Sequence, residues 1–107
     1  MIERSLAIVK PDGVERGLVG EILKRFENAG LKLVGMKMTW VDKKFAEKHY
    51  SAHKSKPFFK ELVDFITEGP VVVVVLEGVH AVENVRRLVG PTSPHQAAPG
   101  TIRGDYA

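Results

Sequence analysis

The sequence contains no cysteine. That excludes a disulfide framework and any thiolate-ligated metal site, and it fits a reducing compartment without requiring one. Near its start the only apolar run is Leu6 to Val9, too short for the core of a signal peptide or for a membrane span. A cytoplasmic location, with no membrane partner, is the expectation. A strong excess of one charge is missing as well. Lys and Arg number 16 and Asp and Glu 13, a formal charge of +3, which is too small to imply nucleic-acid binding but suits an anionic ligand. The two common phosphate-binding signatures, Gly-x-x-x-x-Gly-Lys-Ser/Thr and Gly-x-Gly-x-x-Gly, are both absent. Phosphates would have to be held by side chains converging from separate elements.

What is present is ordinary for one globular domain: 107 residues, 44% hydrophobic and 27% charged. A chain of this length buries about 60–70% of its extended surface, enough for a single core. No repeat, linker or low-complexity stretch interrupts it.

Ser5 to Val9 reads as a short buried strand closed by the turn residues Lys10-Pro11-Asp12-Gly13. Asp12 and Glu15 have capping-box spacing ahead of the amphipathic stripe Leu18, Val19, Ile22, Leu23 and Phe26, which ends at Gly30. Leu31 to Val41 alternates as a strand, with a bulge expected near Gly35. Asp42 is placed to cap a helix containing Phe45, Ala46, His49 and Tyr50. After a polar break, Ser51 to Lys56, Pro57 opens a second helix through Ile66, closed by Gly69-Pro70. Val71 to Leu76, five valines and a leucine, is a strand covered on both faces. Ala81 to Val89 makes a third amphipathic helix, with Val82, Val85, Leu88 and Val89 inward. Gly90 to Ala107 carries three prolines and three glycines, which exclude a continuous helix or a regular central strand.

This order predicts an α+β fold, a ferredoxin-like sandwich with an antiparallel sheet and helices on one face. Its last strand is expected beyond Ala107, so residues 1–107 are read as one domain, incomplete at its carboxyl end.

The final loop holds Thr92, Thr101 and Arg103, just after Arg86 and Arg87. Guanidinium forks and hydroxyls are the donors that grip phosphate oxygens, although a solvated surface loop has the same composition. Lys10, a cation ending an apolar strand, serves a phosphate or simply snorkels its ammonium to water. Arg86 grips an anion or complements its helix dipole, and Arg103 does so or pairs with Asp105. The rings of Tyr50 and Phe58 stack on a base or fill core. His49 and His53, four apart, lack a third ligand and make a poor zinc site. The Arg-Gly-Asp of Arg103 to Asp105 has the spelling of an adhesion tripeptide, a three-residue match expected by chance.

Together these segments resemble the nucleoside diphosphate kinase family. Ser5 to Val14 is similar to its first strand and turn, His49-Tyr50 with Lys56 to Phe59 to its nucleotide clamp, and Gly90 to Ala107 to its long loop. The resemblance spans the whole chain in order. It implies transfer of the γ-phosphate of a nucleoside triphosphate to a nucleoside diphosphate, with Mg²⁺, through a phosphohistidine in a ping-pong cycle. By position, Lys10, Arg86, Thr92 and Arg103 would hold the phosphates, Phe58 would stack on the base, and Tyr50 would support the site. The family also forms dimer-based tetramers or hexamers, so a homo-oligomer is expected, with the loop around Pro94 in its contacts. The family's Asn-x-x-His-Gly-Ser-Asp segment is absent from these residues, and none of His49, His53, His80 or His95 stands in its place. The chain is therefore expected to keep parts of the nucleotide site and lack the catalytic histidine, with no metal ligand from protein. A catalytically silent nucleotide-binding or assembly module is the rival reading. Single-stranded nucleic-acid binding lacks its aromatic and basic sheet signature.

Overall fold

The computed structural model describes residues 1–91 and 96–106. Three strands, β1 (Ile2–Val9), β2 (Lys32–Trp40) and β3 (Pro70–Val79), form one sheet in the order β1-β3-β2. The helices are α1 (Pro11–Glu15), α2 (Val19–Asn28), α3 (Lys43–His49), α4 (Phe59–Thr67), α5 (Ala81–Val89) and α6 (Ile102–Tyr106), with a 3₁₀ turn at Ser51–His53. The expected α+β class and antiparallel sheet are observed. The valine run lies in the central strand, between β1 and β2, and the expected cover on both faces is incomplete, since Val73 and Val75 are only partly buried. Val71, Val72, Val74 and Leu76 are all buried.

The residues group into two compact units. The first comprises Met1–Ala7, Gly20–Met36 and Val74–Ala107, and the second Ile8–Val19 and Lys37–Val73. In the first unit, the β1–β3 pairing is marked by the Arg4 Nε to Glu77 Oε1 ion pair at 3.2 Å and by the His80 N–H donating to Met1 O at 3.3 Å. Both contacts join positions whose numbers sum alike, the mark of an antiparallel register. Phe26, Ala81, Val85 and Ile102 supply buried apolar side chains from three helices. His80, at φ 52°, is a non-glycine residue in the left-handed region where it opens α5.

In the second unit, Ala46, Val63, Ile66 and Val71 form a buried cluster, with Ile8, Val41, Tyr50, Phe59 and Val73 packed against it. Asp42 caps α3 as expected, Oδ1 accepting from the Phe45 N–H at 2.7 Å. Trp40 Nε1 donates to Thr67 O at 3.0 Å, satisfying a carbonyl in the last turn of α4 that no helical N–H reaches.

Several local expectations are corrected. The capping box does not form: helix starts at Pro11, Lys10 is the N-cap without a side-chain bond, and Asp12 lies inside the first turn. There its carboxylate complements the helix dipole instead. α1 and α2 are separate because Gly17, at φ 72°, reverses the chain. The Leu18 N–H donates to Gly13 O and the Gly17 N–H to Val14 O, and the Leu31 and Gly30 N–H groups repeat that pattern on Phe26 O and Glu27 O. This is the paired bonding of a left-handed glycine cap. β2 runs unbroken from Lys32 to Trp40. α4 begins at Phe59 with Phe58 as N-cap, and Pro70 opens β3 instead of closing the helix. Val82 is 38% exposed, and Ala81 takes the inward position on α5.

Candidate functional site

In the second unit, Phe58 sits at the N-cap of α4 with φ −86° and ψ 1°. Its side chain is 40% exposed, enough to offer ring surface to a ligand. Two groups contact it. The His53 ring lies 5.6 Å away, centroid to centroid, tilted by 48°, and the Lys56 ammonium is 5.6 Å from the ring centre. The backbone places His53 firmly: its N–H donates to Tyr50 O at 2.8 Å and its carbonyl accepts from the Lys56 N–H at 2.9 Å. Its Nδ1, by contrast, is buried and has no hydrogen-bond partner among the described residues. Leaving such an atom unpaired costs about 1–3 kcal/mol.

Tyr50 caps the end of α3 and packs on the buried cluster. The His49 ring meets it edge-on at 4.8 Å, and burial pushes the Tyr50 phenol above its usual pKa. The core reading of this ring is therefore correct for much of its surface. Lys10, half-buried, carries its ammonium 6.0 Å from the centre of the Phe65 ring. That cation–π contact holds the lysine stem without neutralising its charge.

In the first unit, Arg86 is exposed in the last turn of α5. Arg103, expected in a loop, lies on α6, and its Nη1 donates to Gly90 O at 3.0 Å. Gly90 is the C-cap of α5, so Arg103 is fastened to the end of the helix that bears Arg86. Arg103 does not pair with Asp105. The partner of Asp105 is Arg25, whose Nη2 reaches Oδ2 at 2.7 Å, while the Gly100 N–H donates to Oδ1 at 3.0 Å. Those contacts, the backbone donor foremost, hold the Asp105 carboxyl below the usual range, and Asp105 in turn raises Arg25. Arg25 also donates to Gly100 O and Tyr106 Oη, with its guanidinium carbon 4.8 Å from the Tyr106 ring centre. This fastening of the last segment to α2 escaped sequence reading. An arginine in the last turn of a helix gives no local sign of a partner so far along the chain.

Thr92, and with it Pro94 and His95, lies outside the described residues. A cleft of about 500 Å³ in the second unit is lined by Pro11, Val14, Trp40 and Pro70 together with Glu15 and Glu68. Its carboxylates are the wrong sign for a phosphate, and it includes none of the predicted site residues. Among the described residues, no three His, Cys, Asp or Glu side chains gather as a metal site, and no helix is long and apolar enough to cross a membrane.

Comparison with known proteins gives this arrangement its class. The sequence model of the nucleoside diphosphate kinase family matches residues 3–107. The chain belongs to that family. It is 64% identical over 105 residues to the nucleoside diphosphate kinase of Pyrococcus furiosus, covering 98% of this chain and 65% of that protein. The Thermococcus kodakarensis enzyme is 61% identical over 105 residues, with 60% of its length covered. The chain thus spans somewhat less than two thirds of these relatives. Among solved structures, the Halobacterium salinarum nucleoside diphosphate kinase in complex with CDP superposes with a TM-score of 0.96 at 53% identity, over 100% of this chain and 70% of that one. The Borrelia burgdorferi enzyme with bound vanadate and ADP, a transition-state mimic, gives 0.91 at 47% identity, over 99% of this chain and 66% of that one.

Proposed function

We propose that this chain carries the nucleotide-holding part of a nucleoside diphosphate kinase, which moves the γ-phosphate of a nucleoside triphosphate such as ATP to a nucleoside diphosphate. The observation that carries this reading is the family match across residues 3–107. The nucleotide complexes of the halobacterial and Borrelia neighbours support it. Lys10, Arg86, Thr92 and Arg103 hold the phosphates, Phe58 stacks on the base, and Tyr50 supports the site. A cationic donor set of this kind stabilises oxygens that gain charge as the phosphoryl group moves. Stacking without edge-reading hydrogen bonds suits a site open to several bases.

Phosphoryl transfer proceeds in two displacements. The γ-phosphorus to oxygen bond breaks as a phosphorus–nitrogen bond to a histidine forms, and the second nucleotide's terminal oxygen then reverses the exchange. No histidine among these 107 residues is assigned that role. His49 and His53 are packed on rings and His80 opens α5. Mg²⁺ would come with the nucleotide and would neutralise phosphate charge there, because the predicted donors of this chain, Lys10, Arg86, Thr92 and Arg103, suit phosphate oxygens and not a metal. We infer a cytoplasmic homo-oligomer; the exposed apolar row Val34, Met36, Met38 and Trp40 along β2 supports the oligomer alone.

The test is titration with ADP followed by incubation with Mg²⁺ and ATP labelled at the γ-phosphate, then with a second nucleoside diphosphate. ADP should bind, and Arg86→Ala or Arg103→Ala should each weaken it about 10- to 100-fold. Acid-labile label should form only where the family's histidine segment is present. Labelled phosphohistidine within residues 1–107 would overturn the assignment of roles. Binding without transfer in the presence of that segment would leave a silent nucleotide-binding module.

A further inference from the structure

At five residues, α6 is too short to hold its shape or direction unaided in water. Its buried side chain, Ile102, supplies apolar contact, which is non-directional and leaves the helix free to turn about its axis. Arg25 removes that freedom. From α2, beside the buried Phe26, its guanidinium donates to Gly100 O at 3.2 Å, to Asp105 Oδ2 at 2.7 Å and to Tyr106 Oη at 3.3 Å. These partners lie on both sides of Arg103 in sequence, and a guanidinium fork fixes the direction of what it grips. Arg103 and Asp105, two residues apart, project about 200° apart around a helix axis, so the grip on Asp105 sets where Arg103 points on the opposite side. There Arg103 Nη1 donates to Gly90 O at 3.0 Å, at the end of the helix that carries Arg86. Of the five guanidinium donors that bond uses one, and the fork as a whole suits an anion.

We infer that Arg25 is a positioning residue for phosphate binding: through Asp105 and Tyr106 it fixes the rotation of α6, and so the direction in which Arg103 presents its fork. The inference rests on the phosphate-gripping reading of Arg103 above and adds a residue, on another helix, that touches that segment and not the nucleotide. A lone surface ion pair needs one acceptor and contributes little. Arg25 has three acceptors along this segment, and its guanidinium carbon stands 4.8 Å from the Tyr106 ring centre. Glu21 Oε1, 3.8 Å from Arg25 Nε, orients the side chain from its own helix as well.

The test measures dissociation constants for inorganic tripolyphosphate and for adenosine, which has no phosphate, in the intact protein well below each variant's thermal midpoint. Arg25→Met should weaken tripolyphosphate about five- to tenfold and leave adenosine unchanged. Arg25→Lys, which keeps the charge and the fold's ion pair but loses the fork, should weaken it nearly as much. Asp105→Ala should weaken it too, although deleting a negative charge would by long-range electrostatics tighten an anion. In an Arg103→Ala background, Arg25→Met should cost nothing more. Full affinity in Arg25→Lys, tighter binding in Asp105→Ala, or equal loss of adenosine and tripolyphosphate would overturn the inference. A loss in Arg103→Ala with none in Arg25→Met would sink the inference alone. Unchanged tripolyphosphate affinity in Arg103→Ala would remove the phosphate reading of that residue, and this one with it.

Discussion

Two segments rich in candidate binding residues are held in opposite ways. Gly100 to Tyr106 is fixed by directional polar bonds: Arg25 alone reaches Gly100 O, Asp105 and Tyr106, from positions 75 to 81 residues away. Tyr50 to Phe58 is held by ring contacts and by backbone bonds between near neighbours. Directional bonds to a distant anchor tolerate little displacement, because hydrogen bonds weaken steeply with angle. Ring contacts are softer and survive small shifts. The difference matches the proposed tasks, since phosphate oxygens have fixed geometry while bases differ in size and outline.

The sharpest way to break the first segment is Gly104→Ala. The added methyl would collide with Ala98 O and the Thr101 hydroxyl, and the expected loss is about 2–3 kcal/mol by denaturant unfolding. Arg25→Met should come next, lowering the thermal midpoint by several degrees, because it strips Asp105 and Tyr106 of their partner at once. The same contact carries an acid signature. Asp105 is held below its usual pKa, so its contribution is complete above about pH 4 and is lost as pH falls through the lowered folded value. Asp105→Asn should flatten that acid limb in a series of melts. In the second segment, Asp42→Ala should cost about 1 kcal/mol through loss of the α3 cap. Phe58→Ala, at a residue two-fifths exposed, should cost no more than about 1 kcal/mol while altering nucleotide affinity. A large unfolding penalty there would make Phe58 core and end the contrast.

Much of this was legible because it is local. The valine run, the Asp42 cap, the glycine at the end of α2 and the bounds of α5 each follow from residues within one turn or one strand of each other. α1 was missed because Asp12 and Glu15 match a capping box in spacing alone. The glycine cap at Gly17, which ends α1, was the signal that could have split the two helices. α6 was missed because proline and glycine density describes the stretch before Thr101 better than the five residues after it. The Arg25–Asp105 pair illustrates a harder limit. Neither residue's neighbours indicate it, and only the tertiary path of the chain brings the two together. The resemblance to a family supplied the roles of Lys10, Arg86 and Arg103, which composition alone left balanced against ordinary surface chemistry.

The contacts of Arg103 and Asp105 bear on how this molecule would meet a cell. A receptor that read this tripeptide would need its guanidinium and its carboxylate free to take new partners. Here both oxygens of the acid already accept donors within the fold, and the guanidinium is tethered to Gly90. Cells plated on this protein should spread no better than on one carrying Arg-Gly-Glu, for the tripeptide is a clasp and not a flag.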